Sequence, residues 1–256
     1  MNLERILAVR TSKTVYRDGN MAIKVFDADY SKADVLNEAL NQARVEETGL
    51  PVPKILGVSV LEGKWAICSE FIKGKTLARL MQEEPEKYDE YLALFVDLQM
   101  QVHSKRAPLL GKLRDKLNRK ILDADLDATL RYDLHTRLDQ MPRHSKLCHG
   151  DFNPSNIILS DNGPYILDWS HATQGNASAD VAITYLEFWL SNEFEHAQVY
   201  LDLFCKKSGT NAAYISGVDP ANIKKWLPIV AAALSIRARP QDRERLLSWA
   251  SAMDYE

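Results

Sequence analysis

The sequence predicts an α+β fold in two parts, a strand-rich N-terminal segment carrying one helix and a mainly helical C-terminal segment. Three observations lead there. Short β-branched and aromatic runs crowd the first 72 residues, helical periodicity dominates from Thr76 onward, and Ile72-Lys73-Gly74 marks the change, with Gly74 as a possible hinge. The expected parts are residues 1–72 and 73–256.

Strand-like runs fall at Ile6–Val9, Lys13–Tyr16, Met21–Phe26, Ile55–Leu61 and Trp65–Phe71, bounded by turn signals such as Asp18-Gly19-Asn20 and Glu62-Gly63. A helix from about Lys32 to Glu47 separates the third run from the fourth. Ser31 is its N-cap, Gly49 its stop, and Val35, Leu36, Ala39, Leu40 and Ala43 form its apolar stripe. Further helices are expected near 76–84, 88–105, 112–122, 127–140, 179–190, 194–207, 220–236 and 241–253. Tyr91, Leu94, Phe95, Leu98 and Val102 illustrate their spacing. Between Lys146 and Asp168 two short strand-like runs, Ile157–Leu159 and Tyr165–Leu167, flank the turn Asp161-Asn162-Gly163 and interrupt the helical series.

Bulk properties narrow the function classes. With 46% hydrophobic and 26% charged residues, the 256-residue chain has the composition of an ordinary globular protein. A net charge of −3 argues against nucleic acid as a partner. The cluster Arg237, Arg239, Arg243, Arg245 is interrupted by Asp242 and Glu244 and reads as a solvated helix face. The first ten residues lack the apolar core of a secretion signal, and Leu227–Ile236, broken by Pro228, is too short to span a bilayer. Cys68, Cys148 and Cys205 lie far apart with no CxxC spacing, which fits a reducing cytosol. The expectation is a cytoplasmic protein without a membrane partner.

The chemistry concentrates in His149-Gly150-Asp151-Phe152-Asn153-Pro154-Ser155-Asn156. A His-x-Asp followed by Asn five residues after the Asp is the catalytic loop of kinase folds. There the Asp faces the hydroxyl that attacks the γ-phosphate, and the Asn amide oxygen reaches a metal ion on the phosphates. Twelve residues beyond Asn156, the apolar run Tyr165-Ile166-Leu167 ends in Asp168-Trp169, where such folds place a Mg²⁺-binding carboxylate. Upstream, Ala22-Ile23-Lys24-Val25-Phe26 is an apolar strand with one lysine, the pattern of a phosphate-contacting residue, and Glu38 in the next helix is its natural counter-ion.

The stretch from His149 to Ala182 resembles the aminoglycoside phosphotransferase and choline-kinase-like superfamily. Its members carry His-Gly-Asp-x-x-x-x-Asn, an apolar strand ending Asp-Trp, then Gly-Asn/Asp and Asp-Val/Leu-Ala. Here the last two read Gly175-Asn176 and Asp180-Val181-Ala182. Weaker similarity covers Gly49–Pro53, Glu70–Gly74 and Val102-His103-Ser104. The resemblance implies a bilobal protein-kinase-like fold, ATP and Mg²⁺ as cofactors, and a small-molecule hydroxyl acceptor of aminoglycoside, sugar or amino alcohol type. It casts Asp151 as base, Asn156 and Asp168 as metal ligands, and Lys24 with Glu38 as the phosphate-contacting pair. Main-chain groups of Ser69, Glu70, Phe71 and Ile72 would meet the adenine. His149 and Asp180 would brace the catalytic loop.

The resemblance is imperfect at Arg10-Thr11-Ser12-Lys13-Thr14, which has no glycine where protein kinases carry a Gly-rich loop; the hydroxyls and amides of Thr11 and Ser12 take that place. Only 12 positions separate Asp168 from Asp180, with no Ala-Pro-Glu, so no activation segment for a peptide substrate is present. A catalytically idle nucleotide-binding regulator is the second reading, against which all of Lys24, Asp151, Asn156 and Asp168 stand. On the acceptor side, Glu187, Glu193 and Glu195 read as an acidic wall or as an exposed helix end. Trp189, Trp226 and Trp249 read as a cage for a quaternary ammonium or as core packing.

Overall fold

The computed structural model describes residues 5–191, 193–210 and 218–252. The chain forms two compact units, one built from residues up to Tyr91 plus Pro154–Ala172, the other from Leu92–Asn153 plus residues from Thr173 onward.

In the first unit, β1 (Arg5–Val9), β2 (Lys13–Asp18), β3 (Met21–Phe26), β4 (Ile55–Leu61) and β5 (Lys64–Glu70) form an antiparallel sheet in the order β1-β2-β3-β5-β4. Two-residue turns set the register. Asp18 pairs with Met21 around Gly19 (φ 56°), and Leu61 pairs with Lys64 around Glu62 and Gly63 (φ 49° and 79°), the positive φ values that tight hairpins require. Side chains alternate across the sheet. One face carries Ile23, Ala66 and Cys68; the other carries Phe26 and Ile67, covered by Val35 and Ala39 of α1 (Lys32–Glu46).

Ser31 caps α1 by accepting from Asp34 N, and Gly49 follows its end with φ 74°. The buried face differs from the expected stripe: Val35, Glu38, Ala39, Asn41 and Val45 point inward, while Leu36 and Leu40 are exposed. The charged Glu38 claims an inward position because it meets a lysine of β3, so the apolar pattern alone misplaced the helix face by part of a turn.

A second sheet joins β6 (Gly74–Thr76), β8 (Ile157–Ser160) and β9 (Gly163–Ile166) in the order β6-β8-β9, beside α2 (Leu77–Glu83). Gly74 lies inside β6 rather than in a free hinge, and a Cβ there would stand 2.3 Å from the Leu159 carbonyl oxygen. The strand β6 is absent from the sequence expectations because Gly-Lys-Thr carries no strand signature; its partner β8 creates it.

The second unit is mainly helical, with α3 (Tyr88–His103) entering it from the first, then α4 (Leu113–Asp123), α5 (Ala128–Gln140), α6 (Ala177–Leu190), α7 (Phe194–Gly209), α8 (Pro220–Ser235) and α9 (Pro240–Ser251). The short strands β7 (Lys146–Cys148) and β10 (Thr173–Gly175) pair antiparallel. The core holds Phe95, Phe152, Phe188 and Tyr200, with Phe95 and Phe152 centroids 4.8 Å apart. Buried Gln99 accepts from the Tyr200 hydroxyl and donates to Thr184 Oγ1 at 3.1 Å, and Thr184 donates to the Phe152 carbonyl at 2.9 Å. No helix among the described residues is long and apolar enough to cross a membrane.

Replacing Gly74 by Ala puts a methyl group against a backbone carbonyl that has no rotamer to escape into. The variant should lose roughly 1–3 kcal/mol, the usual cost of overpacking, seen as a lower urea midpoint with an unchanged denaturant slope.

Candidate active site

The β2–β3 hairpin and α1 build a charged cluster in the first unit. Lys24 Nζ lies 2.5 Å from Glu38 Oε1 and 3.4 Å from Asp168 Oδ1. Lys13 Nζ lies 3.3 Å from Asp168 Oδ2 and 3.6 Å from Glu38 Oε2. The hairpin register pairs Lys13 with Phe26 and Val15 with Lys24, so the two lysines project from one face as diagonal neighbours. Asp168 follows β9 with φ 56°, a left-handed conformation that costs a non-glycine residue about 1–3 kcal/mol and that is common at functional sites. It caps the single turn Trp169–His171, whose Ser170 carbonyl accepts from Asn41 of α1 at 3.5 Å.

Electrostatics favour the charged forms of Asp168 and Lys24. Burial opposes ionisation of Asp168, but Lys24 and Lys13 overcome it and hold the carboxyl far below the usual carboxylate range. Burial likewise works against the Lys24 cation, and Asp168 and Glu38 outweigh it and raise the amine.

A cavity of about 230 Å³ in the same unit is lined by Lys13, Lys24, Glu38, Asn156 and Asp168 together with the stretch Ser69–Ile72. The structure thus gathers Lys24, Glu38, Asn156, Asp168 and the proposed adenine-edge residues around one space. The N–H groups of Glu70 and Phe71 donate to the carbonyls of Lys54 and Asn20, both at 2.9 Å. Thr11 and Ser12 sit in the β1–β2 turn and do not line the cavity; Arg10 and Lys13 do. Lys13 is a site residue the motif reading passed over. Its signal was the hairpin register, which puts every second residue of β2 on the face of Lys24.

An ionised Asp168 and the Asn156 amide fit a hard, oxygen-preferring cation. Mg²⁺ typically takes one or two protein oxygen ligands and completes its octahedron with phosphates and water. No cluster of three or more His, Cys, Asp or Glu side chains forms a metal site among the described residues, so such a cation would need the nucleotide to complete its shell.

The second unit carries residues 149–153 of the candidate catalytic loop. Asp180, wholly buried on α6, accepts from His149 N at 3.1 Å and Gly150 N at 2.7 Å, and its Oδ2 lies 2.9 Å from His103 Nε2 on α3. Burial opposes its charge, yet His103, His149 and the Gly150 N–H keep its carboxyl below the ordinary range. His149 is fully buried with its ring edge-on to Phe152. Asn153 donates to Asp151 Oδ1 at 3.0 Å. Burial, reinforced by the nearby Asp151 charge and a hydrogen bond to it, pushes the Glu187 carboxyl well above its usual value.

Cations also approach Asp151. Burial pushes the Lys116 amine down to about 7, with Lys120 and Arg237 adding like-charge repulsion and Asp180 and Asp151 opposing it. Lys120 is lowered for the same first reason and by the same Arg237. Nothing in the sequence flagged this group, because α4 reads only as an amphipathic helix with Leu113, Leu117 and Ile121 buried.

The remaining candidates separate. Cys148 is fully buried and its thiol is pushed well above the usual range, so it is no nucleophile. Glu193 and Glu195 lie exposed at the start of α7, whereas Glu187 is half-buried beside Asp151. Trp226 is buried in the core. Trp189 packs edge-on to Trp249, centroids 5.5 Å apart, and its face is covered by the Arg245 guanidinium at 4.1 Å. The aromatic group that might cage a quaternary ammonium is thus occupied by the chain's own cation. Arg245 is correspondingly part of the packing rather than of a solvated face.

Residues 4–206 match the phosphotransferase enzyme family. No curated protein matches the sequence significantly. Among solved structures, a ternary complex of a thermostable aminoglycoside phosphotransferase APH(4)-Ia variant with AMP-PNP and hygromycin B superposes with a TM-score of 0.64 at 15% identity, over 96% of this chain and 89% of that one. A choline/ethanolamine kinase family protein from Mesorhizobium loti gives 0.64 at 12% identity, over 99% and 89%. The aminoglycoside phosphotransferase APH(3'')-Id from Streptomyces rimosus, in complex with ADP and streptomycin, gives 0.59 at 16% identity, over 89% and 92%. These likenesses establish the protein-kinase-like fold, and the family match over most of the chain means that it belongs to the phosphotransferase enzyme family.

Proposed function

We propose that the protein transfers the γ-phosphate of ATP to a hydroxyl of a small molecule, with Asp151 as base. The observation that carries this reading is the charged cluster of Lys24, Glu38 and Asp168 on the wall of a cavity shared with Asn156. An idle nucleotide-binding regulator would have no need to keep every one of these groups.

In this reading Glu38 holds Lys24 extended and charged against the nucleotide phosphates. Asp168 and Asn156 hold Mg²⁺, which supplies positive charge to the phosphate oxygens. Lys13, facing the same carboxylate, is a second cation for the phosphates in the turn that lacks glycine. Asp151 aligns the acceptor hydroxyl and takes its proton late in a loose in-line transfer. The bond from the γ-phosphorus to the bridging oxygen breaks, the bond to the acceptor oxygen forms, and ADP leaves. Asp180 keeps the loop in register through the His149 and Gly150 amides, and Asn153 fixes the Asp151 carboxylate. The lobes assigned from the sequence, 1–72 for nucleotide and 73–256 for acceptor, are part of the same proposal.

The electrostatics around Asp151 bear on the acceptor. Lys116 and Lys120 lie within electrostatic reach of Asp151, and Arg237 lies within reach of both lysines. A polycation such as hygromycin B or streptomycin, bound by the neighbouring enzymes, would meet repulsion there. A neutral or acidic hydroxyl compound, such as a sugar or a sugar acid, suits this charge pattern better.

Asp151→Asn should reduce kcat by about 10²–10⁴-fold, the usual contribution of a positioned base, and leave the AMP-PNP-induced rise in Tm intact. Full turnover in that variant would remove Asp151 from its role. Asp168→Ala should abolish the Mg²⁺-dependent part of the AMP-PNP shift, since only ligand bound to the folded state raises Tm. In a panel of acceptors scored by ADP release, neutral and acidic alcohols should turn over and aminoglycosides should not; the reverse order would overturn the charge argument. Lys116 provides a pH test. Its folded pKa lies below the unfolded one, so the unfolded state binds the extra proton. The cost to folding is full below about pH 7 and fades as pH rises toward 10.5, the ordinary value for a lysine. Lys116→Met should therefore raise Tm at pH 6, by about 2–4 °C for each kcal/mol relieved, and leave it unchanged near pH 10.5.

A further inference from the structure

The second unit contains a cavity of about 750 Å³ that shares no lining residue with the catalytic loop. Its walls come from the segment after α3, the start of α4, the loop before β7, and β10, with Trp226 and Leu113 as apolar surface. Six cations line it, namely Lys105, Arg106, Lys112, Arg114, Arg143 and Lys146, against one acid, Asp115. The chain as a whole carries −3, so this excess of positive charge is local.

Little in the protein neutralises it. Arg114 pairs with Asp139 at 3.1 Å and donates to the Met141 carbonyl at 2.7 Å, and Lys146 donates to the His103 carbonyl at 3.4 Å. Lys105, Arg106, Lys112 and Arg143 make no ion pair among the described residues. Like charges gathered in a partly enclosed space repel one another and focus a positive field. Lys146 registers this: burial lowers its amine, and Arg106 lowers it further. His144 is lowered by burial and by Lys146 in turn. A site that raises the energy of the free protein in this way is suited to a ligand whose charge repays it.

We propose that this cavity binds a small organic molecule bearing two or more phosphate groups. Guanidinium forks take phosphate oxygens in pairs, and lysines supply further point charges. The volume falls within the range of about 300–1,000 Å³ for small-molecule sites, more than a lone phosphate fills. The site also adjoins the catalytic loop's support: His103 lines the cavity and contacts the same Asp180 that holds His149 and Gly150.

The test uses the full chain saturated with Mg²⁺ and AMP-PNP, so that the nucleotide site is occupied. Calorimetric titrations with inorganic phosphate and with fructose 1,6-bisphosphate are then compared. One molecule of the bisphosphate should bind per chain, at least tenfold more tightly than inorganic phosphate, with affinity falling steeply as salt rises. Arg106→Gln and Arg143→Gln alter exposed side chains and should keep the wild-type Tm while weakening the bisphosphate at least tenfold each; Lys24→Met should leave it unchanged. Absence of binding, equal affinity for the two probes, or sensitivity to Lys24→Met rather than to Arg106→Gln and Arg143→Gln would each overturn the inference. None of these readouts depends on turnover, so failure here is distinguishable from failure of the phosphotransfer reading.

Discussion

Asp180 is the point on which the catalytic loop depends. One buried carboxylate meets His103 from α3 and the consecutive backbone amides of His149 and Gly150. A buried charge is tolerated only when its lone pairs are filled, and here the partners come from two stretches of chain, α3 and the loop at His149-Gly150. The helix that bears Asp180 also supplies Thr184, whose hydroxyl donates to the Phe152 carbonyl, and Glu187, which hydrogen-bonds Asp151. One face of α6 thus touches the loop at four successive residues, 149 to 152.

The first unit solves a different problem. Lys13, Lys24, Glu38 and Asp168 form two cations against two anions, so the cluster is neutral overall and each charge has opposite neighbours. The left-handed backbone of Asp168 is the local cost of aiming its carboxylate at both lysines. Nucleotide phosphates and a metal ion entering this cavity would exchange one set of ion pairs for another, with little bare charge exposed at any stage.

Most of the architecture was legible in the sequence. The five strands and the helix after the third were marked by β-branched runs and by paired turn signals. The helices were marked by their periodicity, and the loop from His149 to Asn156 by spacing. What was not legible depended on partners distant in sequence. β6, β7 and β10 are three residues long and exist because a partner strand lies alongside. Leu36 and Leu40 looked like core and are exposed because Glu38 takes the inward direction. Lys13 required the hairpin register to be followed residue by residue. Lys116 and Lys120 carried no signal in the sequence, and the packing of α4 on α8 brings them toward Arg237.

The first compact unit is interrupted: it takes residues up to Tyr91 and then Pro154–Ala172, which return after a long excursion. Asp168 meets Lys13 across 155 positions of chain. During synthesis, at about 5–20 residues per second, the ribosome must therefore add the whole intervening stretch before β8, β9 and Asp168 can reach their places. Until then the N-terminal sheet holds two lysines without one of their carboxylates, and β6 has no strand to pair with. The unit cannot be finished as an N-terminal fragment, which makes its completion a late event in the life of the nascent chain.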